Sequence, residues 1–299
     1  MKKARTILPV FVCFLILAAY AAGGQTAEEK EKDSTTGIRI EQKDGKDYFV
    51  FQDVKEKSYR AELLDGVPKN TYDFDCLATD EDTGFKQYID DENRITSRMG
   101  IDVSEFQGED IDWKQVKDSG IEFVIIRAGY RAYGETGELV QDAMFEQNIK
   151  GALDAGLDVG VYFFSQAITP GEAVEEAEFV LDLIRPYEIT GPVVYDTEEI
   201  KGDTARTDDN TRQEFTNYCK VFCDTVEHAG YDSMIYANMK WMAFTLDMEE
   251  LTDYDFWYAD YHELPQNPYE YTIWQYSETG EVPGINTSVD LNIWFEKEG

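Results

Sequence analysis

The chain has 299 residues, of which 42% are hydrophobic and 14% aromatic. This much apolar material can form a packed core and excludes wholesale disorder, and the length suits one large domain or two smaller ones. The 61 Asp and Glu against 27 Lys and Arg give a formal net charge of −34. That charge argues against nucleic acid and anionic lipid as partners, because contacts to phosphate depend on Lys and Arg. With only two histidines, acid/base chemistry would fall to carboxylates.

The N-terminus has the features of an export signal in residues 1–24. Positively charged residues at the very start precede an apolar run over residues 7–22, and Ala19-Tyr20-Ala21 fits a cleavage site. An uncleaved membrane anchor is the alternative, but the run is shorter than the roughly 20 residues that cross a bilayer. We therefore predict an extracellular or cell-surface location, with cleavage of the signal favoured over anchoring.

Two segments without recognisable catalytic motifs follow the signal. Residues 25–36 are polar and charged with no apolar periodicity, which predicts a linker. Residues 37–98 contain strand-like runs at 38–40 and 48–51 separated by turn signals, which predicts a small β-rich accessory segment. This segment is too short to bury much core alone, so we expect it to dock on the domain over residues 99–299.

From residue 99 the pattern alternates between apolar strands and helices. We predict strands at 100–104, 121–129, 159–164, 192–196, 233–237, 256–261, 271–277 and 289–295. We predict helices at 113–119, 140–155, 170–185 and 208–228. Near-continuous apolar strands separated by helices indicate a parallel sheet buried on both faces, and this number of strands suggests a barrel. Because the last three units lack helices, we predict an irregular, partly closed (β/α) barrel of the α/β class.

Four carboxylates lie in or just after the predicted strands of this barrel. Asp102 lies in the first strand, Asp196 and Glu198 lie at the end of the fourth, and Asp290 lies in the last. Catalytic groups of such barrels are found at the carboxyl ends of strands. Asp196 and Glu198 are two residues apart, so on an extended strand both side chains point to one side. Two carboxylates in one pocket hold different pKa values, which suits them for hydrolysing a glycosidic bond.

A chance occurrence of this spacing is the alternative, since the chain has 61 acidic residues. The apolar residues 193–195 before the pair favour a buried strand over a solvated helix face. Aromatic residues also collect at predicted strand ends, namely Tyr162, Tyr236, Trp257, Tyr261 and Trp274. Aromatic faces beside carboxylates suit a carbohydrate cleft, and ordinary core packing is the alternative for each ring.

Several short stretches together carry a family resemblance. They are Gly100-Ile101-Asp102-Val103-Ser104, Gln107-Gly108, Ile111-Asp112-Trp113, 123–128, 142–148, 155–163, 192–198, 235–236, 274–276 and 289–292. In this order they closely resemble glycoside hydrolase family 25, the Chalaropsis-type lysozymes, over residues 99–299. The family fold is an irregular, partly closed α/β barrel, which agrees with the alternation described above.

The resemblance implies an N-acetylmuramidase, which cuts the β-1,4 bond between N-acetylmuramic acid and N-acetylglucosamine in peptidoglycan. Matched by position, Glu198 is implied as the general acid/base, and Asp196 as its partner at the substrate's acetamido group or at the developing positive charge. The resemblance implies Asp102, Asp290, Tyr162 and Tyr236 as residues lining the cleft. Trp257, Tyr261 and Gln275 complete the predicted substrate-binding set. No metal or other cofactor is implied.

Three hypotheses about function stay open at this point. The first is a secreted muramidase that acts on peptidoglycan glycan strands as a monomer, without an obligate protein partner. The second is a non-catalytic cell-wall glycan-binding module on the same scaffold, since one fold hosts many functions. The third keeps the enzyme but changes the polymer to a chitin-like one, which lacks the lactyl group of muramic acid.

Overall fold

The computed structural model describes residues 31–32, 38–90, 94–134, 136–200 and 202–297. The predicted signal and most of the predicted linker lie outside these ranges. Within the linker, Glu31–Lys32 form a two-residue strand that pairs with residues 40–41.

The described residues form fifteen strands and five α-helices. The strands are β1 (Glu31–Lys32), β2 (Arg39–Lys43), β3 (Lys46–Gln52), β4 (Ser58–Glu62), β5 (Leu77–Thr79), β6 (Lys86–Tyr88), β7 (Ile95–Val103), β8 (Phe123–Arg131), β9 (Leu139–Gln141), β10 (Asp158–Phe164), β11 (Val193–Asp196), β12 (Ser233–Asn238), β13 (Asp255–Ala259), β14 (Ile273–Gly280) and β15 (Val289–Lys297). The α-helices are α1 (Trp113–Asp118), α2 (Phe145–Asp154), α3 (Pro170–Ile184), α4 (Arg212–His228) and α5 (Met239–Phe244). Short 3-10 helices cover Phe74–Cys76, Glu105–Gln107 and Met248–Glu250.

The predicted α/β barrel is confirmed. The ring runs β7, β8, β10, β11, β12, β13, β14, β15 and back to β7, and each of the predicted strands after residue 99 contributes one member. From β7 to β14 all neighbours pair in parallel. The carboxyl ends of these strands therefore meet at one end of the barrel, where a site is expected.

The last strand differs from the predicted all-parallel arrangement. Strand β15 is antiparallel to both β14 and β7, and it closes the ring between them. The link from Gly280 to Val289 is shorter than the dozen or so residues that a parallel crossover needs, so the chain can only turn back alongside β14. The missing helix at this point, visible in the sequence, is the reason for the reversal.

The four predicted helices are present: α1 and α3 begin where predicted, whereas α2 and α4 begin later. The clearest shift is at α2, which begins at Phe145 rather than at residue 140, because Leu139–Gln141 pair with β8 as strand β9. At α3, Thr169 caps the first turn and Pro170 occupies the position that tolerates proline. At α4, Thr211 and Glu214 form a capping box, so the helix starts after residue 208.

Apolar side chains fill the interior of the barrel. One cluster consists of Phe123, Ile125, Val194, Met234, Tyr236, Trp257, Ala259 and Ile273, which alternate along their strands. Because side chains alternate between the two faces of a strand, Asp196 follows Val194 onto the interior side, and Gln275 follows Ile273. The interior positions at the carboxyl ends of the strands are therefore polar, whereas those below them are apolar.

The small N-terminal β segment is also present. Strands β2, β3 and β4 form an antiparallel meander, and β5 and β6 form a hairpin. This segment packs on the barrel through aromatic rings: Phe49 meets Tyr269 edge-on at 5.8 Å, and Tyr72 stacks on Phe295 at 4.3 Å. The predicted docking surface is thus formed by tyrosine and phenylalanine side chains from both parts.

Candidate active site

A cavity of 220 Å³ opens at the carboxyl ends of the barrel strands. Its lining includes all four predicted carboxylates and one predicted aromatic residue, namely Asp102, Asp196, Glu198, Asp290 and Tyr162. Arg127 and Phe106 also line it. The fold thus gathers, in one place, acidic residues that are almost 190 positions apart in the chain.

Asp196 and Glu198 reach this cavity from one short segment. Asp196 is the last residue of β11, and Glu198 lies just beyond the strand. The backbone N–H of Ser165 donates to the carbonyl of Asp196 at 2.7 Å, which fixes the end of β11 against the neighbouring loop. Asp196 is buried and Glu198 is half-buried, so the two carboxylates share a cavity but differ in exposure.

The environment of Asp196 favours its neutral form. Burial raises the pKa of its carboxyl well above the usual range, the charges of Glu198 and Asp102 raise it further, and Arg127 opposes them. Its Oδ1 atom is buried and has no hydrogen-bond partner among the residues that the structure describes. A buried carboxyl oxygen without a partner costs free energy, and a ligand that supplies a polar hydrogen would remove that cost.

Asp102 and Asp290 form a pair that shares a proton. They lie directly opposite each other where β15 meets β7. Burial raises the pKa of Asp290 to about 9, and the charge of Asp102 and a hydrogen bond to it act in the same direction. Burial also raises the pKa of Asp102, against hydrogen bonds from Asn292, Gln275 and Asp290. With a pKa of about 9, Asp290 keeps its proton at neutral pH and donates a hydrogen bond to the Asp102 carboxyl.

A network of amides and hydroxyls supports Asp102 from below. Its Oδ2 accepts hydrogen bonds from Gln275 Nε2 at 2.9 Å and Asn292 Nδ2 at 2.8 Å. The hydroxyls of Tyr236 and Tyr261 both donate to Gln275 Oε1, at 2.8 and 2.9 Å. Two donors on the amide oxygen leave the amide nitrogen to face Asp102, so the tyrosines fix the orientation of Gln275.

Trp257 belongs to the layer beneath the cavity. It is 1% exposed and lies between Tyr162 and Tyr236, with ring centroids 6.0 and 4.7 Å apart. Its Nε1 donates to Asn292 Oδ1 at 2.8 Å. The structure thus places Trp257, like Tyr236 and Gln275, behind the residues that face the cavity.

Trp274 lies on the opposite side of its strand. It is buried in the outer core, and its Nε1 donates to the carbonyl of Asp260 at 2.8 Å. For this ring the core-packing alternative is correct, because its neighbours Ile273 and Gln275 take the interior positions of β14.

Arg127 and Phe106 are among the lining residues that were not predicted from the sequence. Arg127 donates to Asp142 Oδ2 at 2.7 Å and Glu105 Oε1 at 2.9 Å, so its charge is fixed at the cavity. Phe106 is 74% exposed, and its ring centroid is 5.0 Å from the Arg127 guanidinium carbon. Two features of the sequence could have indicated these residues. Arg127 is a cation inside an otherwise apolar strand, and Phe106 is an aromatic residue in the turn after Ser104.

The barrel and its cavity define the class: an α/β barrel with paired carboxylates at the strand ends, as in glycoside hydrolases. Within this class, the chain belongs to the family Glycosyl hydrolases family 25, whose model matches residues 101–285. Across that match lie Asp102, Asp196 and Glu198, and Asp290 follows shortly after it.

Known relatives agree with this membership. The chain is 28% identical to the autolytic lysozyme of Clostridium acetobutylicum over 198 residues, which cover 66% of this chain and 56% of the relative. It is 27% identical to lysozyme M1 of Streptomyces globisporus over 216 residues, covering 65% of this chain and 66% of the relative. The chain thus spans little more than half of the length of the clostridial protein.

Solved structures show the same fold. The bacterial lysozyme from Streptomyces coelicolor superposes with a TM-score of 0.52 at 25% identity, over 68% of this chain and 92% of that one. The modular autolysin LytC from Streptococcus pneumoniae gives a TM-score of 0.58 at 23% identity, over 84% of this chain and 57% of that one.

The described residues contain neither a candidate metal site nor a helix that could span a membrane. No three His, Cys, Asp or Glu side chains are grouped there so that they could hold a metal ion. No helix in the same ranges is long and apolar enough to cross a membrane.

Proposed function

We propose that this protein is an exported muramidase, which hydrolyses the β-1,4 bond between N-acetylmuramic acid and N-acetylglucosamine in peptidoglycan. The observation that carries the proposal is the gathering of Asp102, Asp196, Glu198 and Asp290 around one cavity in a chain of family 25. The names of the two relatives, an autolytic lysozyme and lysozyme M1, support this substrate.

Glu198 is the proposed general acid/base. It is half-buried at the cavity wall, so it can be reached by a glycosidic oxygen without being sealed in the core. Its proton passes to the glycosidic oxygen as the bond to the anomeric carbon breaks. In the second step Glu198 takes a proton from the water that attacks this carbon, which restores the starting state.

Asp196 is the proposed partner at the 2-acetamido group. Its Oδ1, which has no hydrogen-bond partner among the described residues, is the atom that we assign to accept the amide N–H of the sugar. That hydrogen bond stabilises the ionised carboxylate, which burial otherwise disfavours, and turns the acetamido oxygen toward the anomeric carbon. The acetamido oxygen can then stabilise the positive charge that develops there.

The Asp102–Asp290 pair supplies negative charge below the sugar ring. Because Asp290, with a pKa of about 9, keeps its proton at neutral pH, the pair carries no more than one negative charge. One charge stabilises an oxocarbenium-like transition state, whereas two charges in this buried place would repel each other. Tyr236, Tyr261 and Gln275 hold Asp102 in position for this role.

The binding-module and chitin alternatives are separated by assays of turnover. We expect purified protein to release new reducing ends from peptidoglycan but not from chitin oligomers, and Glu198→Gln to abolish release while retaining binding. Glu281→Gln is the control, because Glu281 is exposed and lies outside both the cavity and the neighbouring groove. Binding without release by the wild-type protein would support the module, and efficient release from chitin would support the other polymer.

Export and a free monomeric state are part of the same proposal. The charged start, the apolar run over residues 7–22 and the small residues after it support a cleaved signal. N-terminal sequencing of the secreted protein tests this point. A mature chain that begins near residue 22 agrees with it, and a membrane-bound chain that begins at Met1 contradicts it.

A further inference from the structure

A second groove adjoins the active-site cavity at Glu198. Its volume is 290 Å³, and its walls come from the segment after β11, the start of α4, and helix α5. Glu198 lines both the cavity and the groove. The proposed acid/base group therefore lies at the boundary between the cavity and the groove. This position suits a residue that cleaves a bond within a long glycan chain.

The groove carries side chains that suit sugar rings. Trp241 is half-buried, and Phe244 is 46% exposed, so both rings can be reached from the groove. Lys240 lines the same groove, and its ion pair with Glu199 at 3.1 Å is solvent-exposed and therefore weak. The faces of Trp241 and Phe244 can pack on a sugar ring. Lys240 can leave Glu199 and pair instead with an acidic substituent on that ring.

The N-terminal sheet supports this groove from behind. Phe244 packs against Phe51 of β3 and Tyr59 of β4, with ring centroids 6.1 and 6.0 Å apart. Phe51 and Tyr59 stack on each other at 5.4 Å. The family match begins only at residue 101. These contacts thus connect a segment outside the match to the surface beside the catalytic cavity.

We propose that this groove binds the glycan strand where it continues past the cleaved bond, and that the sheet of β2, β3 and β4 takes part in substrate binding by positioning Phe244. The inference rests on the proposed muramidase function and adds a ligand for the groove, namely N-acetylated sugar rings beyond those at the cleaved bond. A long strand then gains contacts that a short oligosaccharide lacks.

The test compares kcat/KM for long uncrosslinked glycan strands with kcat/KM for the shortest oligosaccharide that the wild-type protein cleaves. Phe244→Leu keeps an apolar contact with Phe51 and Tyr59 but loses the flat ring, and Phe244→Ala removes both. We expect each variant to lower the ratio of the two values about fivefold, which is the scale of one aromatic contact. Ile89→Ala is the control, because Ile89 is 52% exposed and lies outside the groove.

A binding measurement gives a readout that needs no turnover. Calorimetry with long strands on Glu198→Gln protein, with and without Phe244→Leu, should show a Kd about fivefold weaker in the double variant. An unchanged ratio and an unchanged Kd in protein whose thermal unfolding is normal would overturn the inference. If the wild-type protein cleaves no glycan, the muramidase proposal fails, and the Kd comparison still decides what the groove binds.

Discussion

A carboxylate in a buried place costs free energy unless its charge or its proton is shared. Asp102 and Asp290 share a proton because the antiparallel register of β15 and β7 places them face to face. Asn292 and Gln275 then donate two further hydrogen bonds, both to Asp102 Oδ2. At the scale of single residues, the candidate site contains an acidic pair whose surroundings keep Asp290 protonated.

This sharing predicts a pH dependence of stability. The folded pKa of Asp290, about 9, lies above its ordinary value of 3.8. The stability associated with its protonated form is therefore complete at acidic pH and is lost as the pH rises toward 9. Asp290→Asn keeps a hydrogen-bond donor and cannot ionise, so it should lose less free energy of unfolding than the wild-type protein between about pH 5 and about pH 9. Urea unfolding at several pH values measures how steeply the free energy of unfolding falls with pH in each of the two proteins.

The control for this experiment is Glu281→Gln, at an exposed carboxylate near the start of the link to β15. It removes one negative charge without touching the buried pair, so its slope should match that of the wild-type protein. If Asp290→Asn has the wild-type slope as well, Asp290 does not hold the shared proton.

The residues of the site could be predicted unequally from the sequence. Asp102, Asp196 and Glu198 could be predicted, because polar residues at the ends of apolar barrel strands are where catalytic groups are found. The support of Asp102 by Asn292 was not, because this contact depends on how β15 turns back to join β7. The exposed ring of Phe106 was also missed, because nothing in a single turn shows which way its side chain points.

At the scale of elements, the end of β11 depends on a buried network from α3. Glu176 accepts hydrogen bonds from Arg131 Nε at 2.7 Å and from Ser165 Oγ at 2.6 Å. The hydroxyls of Ser165 and Tyr195 are 2.9 Å apart, and the backbone of Ser165 binds the carbonyl of Asp196. Burial raises the pKa of Glu176 to about 7. Helix α3 thus helps to place a residue of the candidate site.

Removal of Glu176 tests this network. Glu176→Ala leaves the buried Arg131 guanidinium without its closest partner and opens a cavity, so we expect the free energy of unfolding to fall by about 3 kcal/mol. Glu175→Ala is the matched control, because Glu175 also contacts Arg131, at 3.2 Å, but its side chain is 61% exposed. Its effect should stay within about 0.5 kcal/mol. Urea unfolding that shows equal losses in both variants would contradict the role of the buried network.

The elements themselves followed from the sequence where local signals were strong. Apolar runs such as 121–129 predicted the barrel strands, and glycines after α2 and α4 marked helix ends. Strand β9 and the reversal of β15 did not follow, because both depend on pairing with distant strands. Local pattern thus predicted which segments are strands, and tertiary pairing decided their direction.

At the scale of the whole molecule, the N-terminal segment and the barrel are held together by aromatic packing. Tyr72 stacks on Phe295 at 4.3 Å, and its hydroxyl donates to the carbonyl of Tyr271 at 2.6 Å. Phe49 meets Tyr269 on the same side. These contacts bury side chains of the segment that could not form a core on their own.

Tyr72→Ala should therefore destabilise the barrel as well as the segment. We expect a loss of about 3 kcal/mol or more in the free energy of unfolding, from the cavity beside Phe295 and the lost hydrogen bond. Tryptophan fluorescence during urea unfolding measures this, because all 5 Trp lie after residue 99 and report on the barrel. Tyr133→Ala, at an exposed tyrosine, is the control. An unchanged fluorescence midpoint in Tyr72→Ala would mean that the segment does not stabilise the barrel.

The proposed function of the whole molecule depends on one cleaved bond and one acid/base residue, Glu198. The most direct measurement is digestion of purified peptidoglycan with the wild-type protein and with Glu198→Gln, followed by borohydride reduction and mass spectrometry of the fragments. We expect fragments that end in reduced muramic acid with the wild-type protein and none with Glu198→Gln. Fragments that end in reduced glucosamine, or equal release by Glu198→Gln, would contradict the account.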